Sequence, residues 1–423
     1  MAGGRIDRRG LLGAGLALPL GARAGGAAAA SLDGNDEAFW RGIAKEYDVT
    51  DKVIQVENGN WGMMPRPVLA AYEEQVRRVN RDTSFYTRRT MAPDWMAARA
   101  SVAGAMGVPV EEMAFTRNAT EALKALILGY NRLKPGDAVL YADLDYDSMQ
   151  ACMESLRARR GVRVVRIALP EPATKQGLID AYAEAFAAHP GIRMVLLTRV
   201  SHRTGLAIPV REIAALARAK GIDAIVDAAH SWYQVDGDIA SLDCDFVAVN
   251  CHKWLGAPLG VGAIHIRKAA LDRIDPDPAN DGAAGIAARV HTGTSDFAAI
   301  LTAPEAVAFH ARIGAARREA RLRALRDRWV SQVRGIERVE VMTPDDAELH
   351  GAITSFRLKG VIGAADNARL AERLLERHAI FTVHRTGVER GACVRVTPAL
   401  FNDMAQMDAV AAAIAEVART FDA

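Results

Sequence analysis

The sequence has few cysteines and no excess of charge of either sign, and each absence narrows the possible functions. Its 423 residues contain 4 cysteines, and none of them forms a C-x-x-C pair. Neither a zinc site nor a disulfide framework is therefore indicated. The 53 lysines and arginines nearly balance the 51 aspartates and glutamates, which leaves a formal net charge of +2. We therefore predict no metal centre and no nucleic-acid partner, because a nucleic-acid binder normally carries a large positive excess.

The first thirty residues also contain no apolar run long enough to span a bilayer, although they differ from the rest. Arg8 and Arg9 precede the apolar stretch Leu11–Leu20, and small residues follow. This order is typical of a signal peptide. The paired arginines resemble a twin-arginine signal, although Asp7 stands where serine or threonine is usual. We expect residues 1–30 to direct the protein to the periplasm or outside the cell, the alternative being a disordered extension of a cytoplasmic protein.

After the N-terminal region, short apolar strands alternate with helical patterns. Such alternation predicts βα units and a mostly parallel sheet that is covered by helices on both faces. A long amphipathic helix is predicted from Ala303 to about Val333, and shorter strands and helices follow it. The predicted divisions are an N-terminal segment at 31–60, a large domain at 61–302, and a linking helix with a small C-terminal α+β domain at 303–423. The predicted strands of the large domain are Ala138–Ala142, Val162–Leu169, Met194–Arg199, Ala224–Val226, Phe246–Asn250 and Val261–Ile266.

A lysine at the end of an apolar strand gives the first chemical indication. In the stretch VAVNCHKWLG, Lys253 follows a buried strand almost immediately. Lysine is rarely buried without a partner, because removing the ammonium group from water is costly. Either Lys253 reaches solvent or its nitrogen is bonded to another group, as in a Schiff base with a carbonyl compound.

Other polar residues follow neighbouring strands, at the edge where open α/β sheets bind ligands. Asp227 ends one strand, Tyr146 follows another, and Asn118 with Thr120 opens a helix. Together with Lys253, they match the needs of pyridoxal 5'-phosphate (PLP). Lysine forms a Schiff base, an acid keeps the ring nitrogen protonated, a helix start binds phosphate, and an aromatic side chain covers the ring. Each feature alone is weak, since Asp227 by itself is more often a strand-end cap and Tyr146 an ordinary half-buried aromatic.

Six segments resemble, in the same order, those of the class V aminotransferase group of fold-type-I PLP enzymes. This group includes cysteine desulfurases and isopenicillin N epimerase-like proteins. The resemblance extends from Asn58 to Asn402 and implies a large domain with a mostly parallel sheet and a smaller C-terminal α+β domain. The six segments are TRNATEAL at 116–123, VDAAH at 226–230, LDCDF at 242–246, NCHKW at 250–254, HTGTSDF at 291–297 and VRVTPALFN at 394–402.

The resemblance implies a role for each matching residue. Lys253 would be the Schiff-base lysine and the base for the α-proton, and Asp227 would pair with the ring nitrogen. His230 and His202 would lie near the phenolic oxygen, with Tyr146 over the ring. The residues expected to bind phosphate are Ala119, Thr120, Asn250 and His252, joined by Thr294 from the neighbouring subunit of a homodimer.

Substrate binding follows from the same resemblance. Arg395 would clamp the substrate α-carboxylate, since a guanidinium group suits a planar carboxylate, and Asn60 would line the same pocket. The alternatives are that Arg395 forms a surface ion pair and that His252 is a helix-cap or core histidine.

The resemblance leaves transamination, epimerisation and elimination open. A cysteine desulfurase needs a mobile cysteine on a loop, and 382–391 contains none, while Cys393 lies in a predicted strand. His230 and Tyr146 stand where desulfurases carry Gln and His, which favours the isopenicillin N epimerase-like branch. The resulting hypothesis is a PLP enzyme acting at the α-carbon of an amino acid or of a residue in a peptide, by analogy an exported peptide such as a siderophore precursor. The alternatives are a C–S lyase or desulfurase-like enzyme, and a PLP-binding protein without turnover.

Overall fold

The computed structural model describes residues 34–235, 237–280 and 284–422. The signal peptide predicted at 1–30 lies outside these residues. The boundaries predicted between the N-terminal segment, the large domain and the small domain stay predictions.

Eleven helices and thirteen strands are found in the described part of the chain. The helices are α1 (Glu37–Ala44), α2 (Arg66–Arg89), α3 (Met91–Met106), α4 (Ala119–Gly129), α5 (Asp147–Arg160), α6 (Lys175–Ala188), α7 (Val210–Ala219), α8 (Phe297–Ile313), α9 (Ala315–Val333), α10 (Ala364–His378) and α11 (Met404–Thr420). The strands are β1 (Ile54–Gln55), β2 (Met113–Thr116), β3 (Ala138–Ala142), β4 (Arg163–Ile167), β5 (Ile192–Thr198), β6 (Asp223–Asp227), β7 (Phe246–Asn250), β8 (Gly262–Ile266), β9 (Val339–Val341), β10 (Thr354–Leu358), β11 (Ile380–Phe381), β12 (Val383–Arg385) and β13 (Cys393–Val396).

The larger sheet has seven strands in the order β2-β8-β7-β6-β5-β3-β4. The strands from β7 to β4 pair in parallel, and β8 runs antiparallel to both of its neighbours. Apolar side chains of β5 point alternately to two separate cores, with Val195 and Leu197 in one, and Met194 and Leu196 in the other. Because successive side chains of a strand face opposite sides, both faces of this sheet are covered. The predicted α/β fold with a mostly parallel sheet is confirmed.

The smaller sheet has four strands in the order β12-β13-β10-β9, all pairing antiparallel. Its apolar face packs against α9, α10 and α11 through a core that includes Trp329, Leu370 and Ile414. The N-terminal segment joins this part of the fold, because β1 pairs in parallel with β11. The predicted smaller α+β region is therefore present, with a strand from the start of the chain added beside it.

The long helix predicted from Ala303 to about Val333 is wrong in detail, because two helices occupy this stretch. Gly314 separates α8 from α9 with φ +86°, a conformation that glycine adopts without the penalty paid by other residues. The first helix also begins earlier, at Phe297, because the side chain of Asp296 accepts a hydrogen bond from the amide of Ala299 (3.0 Å) and so caps the helix.

Two negative findings concern the described residues only. No helix among them is both long and apolar enough to cross a bilayer, and no group of three or more His, Cys, Asp or Glu side chains is placed to hold a metal ion. The four cysteines are unpaired and buried.

Candidate active site

The carboxyl ends of β6 and β7, the start of α4 and the loop after β3 surround a cavity of about 470 Å³. This is the edge at which parallel sheets bind ligands. Of the residues predicted to form the site, all but Thr294 line this cavity. They are Asn60, Ala119, Thr120, Tyr146, His202, Asp227, His230, Asn250, His252, Lys253 and Arg395.

Thr294 lies apart from the cavity that its own chain forms. It is exposed, in the loop that precedes α8. Its predicted place at the site of a neighbouring subunit stays a prediction.

Lys253 is delivered to the cavity by β7 and the turn that follows it. Burial lowers the pKa of its amine to about 8, since the ammonium form loses its water, while the nearby carboxylate of Asp227 acts in the opposite direction. The backbone here is tightly packed, because a side chain on Gly62 would start only 1.8 Å from the Lys253 carbonyl oxygen. The position of Lys253 therefore depends on this glycine.

Asp227 is buried at the end of β6, with one oxygen engaged by the chain. Its Oδ1 accepts a hydrogen bond from the amide of Ala229 (2.9 Å). Burial raises the pKa of this carboxyl, and the Ala229 amide and the charge of Lys253 oppose the rise. A cationic group in the cavity would favour the ionised form further.

A second buried carboxyl, Asp145, lies near Asp227. Its Oδ1 accepts from the amide of Thr198 (3.1 Å) and its Oδ2 from the amide of Ala142 (2.7 Å), so it links the ends of β5 and β3. Burial raises its pKa to about 7, and the charge of Asp227 contributes to the rise. Sequence reasoning gave Asp145 no role of its own in the site. Its position directly before the predicted Tyr146 was the one available signal.

His230 contacts the lysine directly. Its Nε2 lies 2.8 Å from Nζ of Lys253, and the indole Nε1–H of Trp254 donates to its Nδ1 at 3.4 Å. Burial holds the pKa of His230 well below its usual value, and the charge of Lys253 lowers it further. The ring is therefore neutral at neutral pH.

The start of α4 is a candidate site for an anion, although two of its amides already donate to side chains. Asn118 caps the helix by accepting from the amide of Glu121 (2.8 Å), and Asn250 Oδ1 accepts from the amide of Ala119 (2.8 Å). Thr120 also lines the cavity here, at the positive end of the helix dipole.

His252 is fixed on the same side of the cavity. Its Nδ1 donates to the carbonyl of Val261 (3.0 Å), and burial lowers its pKa to about 4. It is thus neither a helix cap nor a core residue without access to the cavity. A phosphate group beside Nε2 would favour the protonated ring and raise this pKa.

Arg395 is buried with a carboxylate of the chain itself. Its Nη2 lies 2.6 Å from both oxygens of Glu57, and its Nη1 donates to the carbonyl of His202 (2.7 Å). Arg395 is only 1% exposed, so the alternative of a surface ion pair is wrong.

A second guanidinium group shares this carboxylate. Arg385 Nη2 lies 3.5 Å from Glu57 Oε1, and Arg385 also lines the cavity. Burial lowers the pKa of Arg385 to about 10, and the charge of Arg395 lowers it further. Two cations facing one carboxylate leave one positive charge, which suits an anionic group of a ligand. Sequence reasoning missed Glu57 and Arg385, although Arg385 lies on β12, which pairs with the strand of Arg395.

Two aromatic rings, those of Tyr146 and His202, also line the cavity. The rings of Tyr146 and His202 meet edge to face with centroids 5.2 Å apart. Burial lowers the pKa of His202 to about 4, although Asp147 at 3.6 Å opposes the shift. Asp147 in turn pairs with the buried Arg203, and sequence reasoning did not single out either residue.

The cysteines lie outside the lining of the cavity. Cys393 is fully buried, and its Sγ lies 3.6 Å from the carbonyl of Arg203. None of the four cysteines lines the cavity.

Residues that line the cavity have buried polar atoms without hydrogen-bond partners, and this suits the binding of PLP. His202 Nδ1 and Arg395 Nε are buried polar atoms with no hydrogen-bond partner among the described residues, although they belong to cavity-lining residues. Such atoms are costly unless a ligand pairs with them. Lys253, Asp227 and the start of α4 would accept the aldehyde, ring nitrogen and phosphate of PLP respectively.

Comparison with known proteins agrees with this assignment. Residues 62–412 match the model of the family described as Aminotransferase class-V. Isopenicillin N epimerase of Streptomyces clavuligerus is 29% identical over 401 residues, covering 89% of this chain and 98% of the relative. The putative L-cysteine desulfhydrase 1 of Oryza sativa subsp. japonica is 31% identical over 275 residues, covering 61% of this chain and 57% of the relative.

Solved structures share the fold. The cysteine desulfurase CsdA of Escherichia coli superposes with a TM-score of 0.76 at 18% identity, covering 91% of this chain and 99% of the other. The chain belongs to the aminotransferase class-V family, and its cofactor is pyridoxal 5'-phosphate.

Proposed function

We propose that this protein removes the α-proton of an amino acid, or of an amino-acid residue in a peptide, with Lys253 as the base. The observation that carries the proposal is that Lys253, Asp227 and the pair Arg385 and Arg395 line one cavity. When bound, PLP supplies an electron sink that makes the α-carbon of an attached amino acid acidic.

Residues of the chain accept the proton, stabilise the cofactor ring and orient the substrate. Lys253 has a pKa lowered to about 8, so a useful fraction of its amine can accept a proton near neutral pH. The carboxylate of Asp227 stabilises a protonated ring nitrogen. The surplus positive charge of the arginine pair holds a carboxylate of the substrate and fixes the orientation of the α-carbon.

The product depends on where the proton goes next, and two candidates have support. The similarity to isopenicillin N epimerase over nearly the whole chain favours chemistry confined to the α-carbon, epimerisation or transamination. The similarity to the putative L-cysteine desulfhydrase favours a C–S lyase as the second candidate. Elimination of a β-sulfur substituent needs no cysteine from the protein, so the buried cysteines argue only against persulfide transfer.

The test is exchange of the α-proton in heavy water. The purified protein should be yellow, and a panel of amino acids should lose the α-proton signal in the NMR spectrum while the visible band changes. Lys253→Ala should lack the borohydride-sensitive band and all exchange. A protein that holds PLP but leaves every amino acid unexchanged would be a binding protein, and the proposal would be wrong.

Product analysis then separates the candidates. A 2-oxo acid indicates transamination, a D-amino acid indicates epimerisation, and sulfide with pyruvate from cysteine indicates C–S lyase activity. Peptides with a free amino end belong in the same panel, since a peptide substrate is part of the proposal.

We further propose a homodimer in which Thr294 reaches the neighbouring site. Its support is the position of Thr294, exposed and outside the cavity of its own chain. Sedimentation should give twice the chain mass, and Thr294→Ala should weaken PLP binding without changing that mass. Unchanged PLP affinity would exclude the role of Thr294.

For location, we propose export by the predicted twin-arginine signal. The support is the order of charged, apolar and small residues in 1–30. Residues 1–35 fused to a reporter should carry it out of the cytoplasm, and replacing Arg8 and Arg9 by lysine should stop this. Export that persists in the lysine variant would point to another route.

A further inference from the structure

Trp254, the residue after Lys253, makes a contact that determines which nitrogen of His230 carries a hydrogen. Its indole nitrogen lies 3.4 Å from Nδ1 of His230, and an indole N–H can only donate. Nδ1 of His230 must therefore act as an acceptor. Because a neutral imidazole carries one hydrogen, that hydrogen lies on Nε2.

In the hydrogen bond between His230 and Lys253, the histidine must then be the donor. Nε2 of His230 lies 2.8 Å from Nζ of Lys253, and a protonated Nε2 donates. Lys253 can accept this hydrogen bond only as a free amine, since an ammonium group has no lone pair. An ammonium at Lys253 would need Nε2 as its acceptor, which the donation from Trp254 to Nδ1 prevents.

We propose that Trp254 is a positioning residue whose indole N–H fixes the tautomer of His230 and, through His230, holds Lys253 as the free amine that captures the cofactor. In that capture the Nζ lone pair adds to the aldehyde carbon of PLP, and the aldehyde oxygen leaves as water with the two Nζ hydrogens. The same tautomer presents an Nε2–H donor, which suits the deprotonated phenolic oxygen of PLP.

Charged groups around Trp254, His230 and Lys253 also shift the protonation equilibria of the lysine and the histidine. The pKa of Lys253 is lowered by burial, raised by Asp227 and Glu57, and lowered by Arg395 and Arg385. The pKa of His230 is lowered by burial and by neighbouring basic groups, which are Lys253, Arg395, His202 and Arg385. Of these groups, only Lys253 is hydrogen-bonded to a nitrogen of the His230 ring, so the tautomer is set by Lys253 on Nε2 and by Trp254 on Nδ1.

The decisive variant is Trp254→Phe, which keeps an aromatic ring and removes the donor. Nδ1 of His230 can then carry the hydrogen and Nε2 can accept from a Lys253 ammonium. The loss of one neutral hydrogen bond should raise the Lys253 pKa by up to about one unit. The full-length chain, freed of cofactor, is mixed with PLP, and the rate at which the borohydride-sensitive band returns is measured against pH.

The expected result is a rate that rises through a midpoint near pH 8 in the parent protein, as the pKa of Lys253 requires, and through a higher midpoint in Trp254→Phe. The rates of the two proteins should become equal at alkaline pH, because Lys253 is then a free amine in both. Trp329→Phe is the matched control, since Trp329 is buried in the smaller core and its indole N–H has no hydrogen-bond partner among the residues that the structure describes. Its midpoint should match that of the parent.

Two further measurements keep the proposal testable if Trp254→Phe folds poorly. Nitrogen-15 spectra of labelled histidine, assigned with His230→Ala, should show His230 protonated on Nε2 in the parent protein. In the His230→Ala background, adding Trp254→Phe should cause no further shift of the midpoint. Protonation on Nδ1 in the parent, or an unmoved midpoint in a folded Trp254→Phe, would overturn the proposal. Failure of the parent to bind PLP would instead contradict the cofactor assignment.

Discussion

At the scale of single residues, the unusual feature is that Arg395 already has a carboxylate partner. Glu57 and Arg395 are both buried, and Arg385 adds a second cation at a longer distance. Removing one partner of a buried ion pair is costly, because the other charge stays in a poorly polar environment. Glu57 therefore has two effects, on stability and on the charge offered to a substrate.

Glu57→Gln should separate these two effects. We expect the free energy of unfolding to fall by about 3–5 kcal/mol, while binding of carboxylate ligands to the folded protein becomes tighter because Arg395 is released. Chemical denaturation and titration of the visible band with amino acids measure the two quantities. Glu389→Gln is the control, since the Glu389–Arg166 pair is exposed and should change stability by less than about 1 kcal/mol. A Glu57→Gln protein as stable as this control would show that the buried pair contributes little.

The limits of sequence reasoning are visible at the same scale. Lys253, Asp227 and Asn250 could be predicted because short motifs place them at strand ends. Glu57 and Arg385 could not, because their importance arises from contacts with Arg395, and 338 residues separate Glu57 from Arg395. Likewise, the engagement of the Ala119 amide by Asn250 depends on how α4 meets β7, which no local pattern specifies.

At the scale of elements, Asp145 joins two parallel strands through backbone hydrogen bonds. It accepts from amides at the ends of β3 and β5, and its pKa is raised to about 7 by burial. A carboxyl with a raised pKa adds stability below its unfolded pKa, and that stability is lost as the pH rises through the folded pKa. Asp145 therefore supports the sheet more strongly in acidic than in alkaline solution.

Asp145→Ala should consequently be more harmful at acidic pH than at alkaline pH. At pH 5 it leaves two buried amides unpaired, which costs about 2–6 kcal/mol. Above pH 8 the parent also carries a buried charge, and removing it returns up to about 4 kcal/mol. Urea unfolding at the two pH values measures the difference. Asp145→Asn, which keeps one acceptor, should lose less stability than Asp145→Ala, and its loss should also be smaller at alkaline pH. A loss of stability that grows with pH would contradict the raised pKa of Asp145.

Element boundaries show what the sequence could and could not predict at this scale. The strands Ala138–Ala142 and Phe246–Asn250 were predicted with their observed bounds, because buried parallel strands are short apolar runs. The helix pair α8 and α9 was predicted as one helix, because apolar periodicity continues past Gly314 while the backbone does not.

At the scale of the whole molecule, the buried lysine makes the cofactor-free fold depend on pH. The pKa of Lys253 is about 8 in the fold against 10.5 for an unperturbed lysine. A lysine with a lowered pKa gives stability that is present above its unfolded pKa and is lost as the pH falls through the folded value.

Comparison with Lys253→Met should reveal this dependence. The free energy of unfolding of the cofactor-free parent, relative to the variant, should rise by up to about 3 kcal/mol between pH 8 and pH 10.5. Parallel denaturation series of the two proteins give the difference directly, and other titrating groups cancel. A difference that stays flat over this range would show that the ammonium is not disfavoured in the fold.

The pairing of β1 with β11 and of Glu57 with Arg395 has a consequence for biosynthesis. Residues of β1 and Glu57 must wait for partners on β11 and β13, so the arginine site cannot assemble until β13 has left the ribosome. Contacts of such long sequence separation form late and slow folding. We therefore expect nascent chains that stop before β11 to retain an unpaired, protease-sensitive N-terminal segment, which becomes protected only after β11 and β13 have been made.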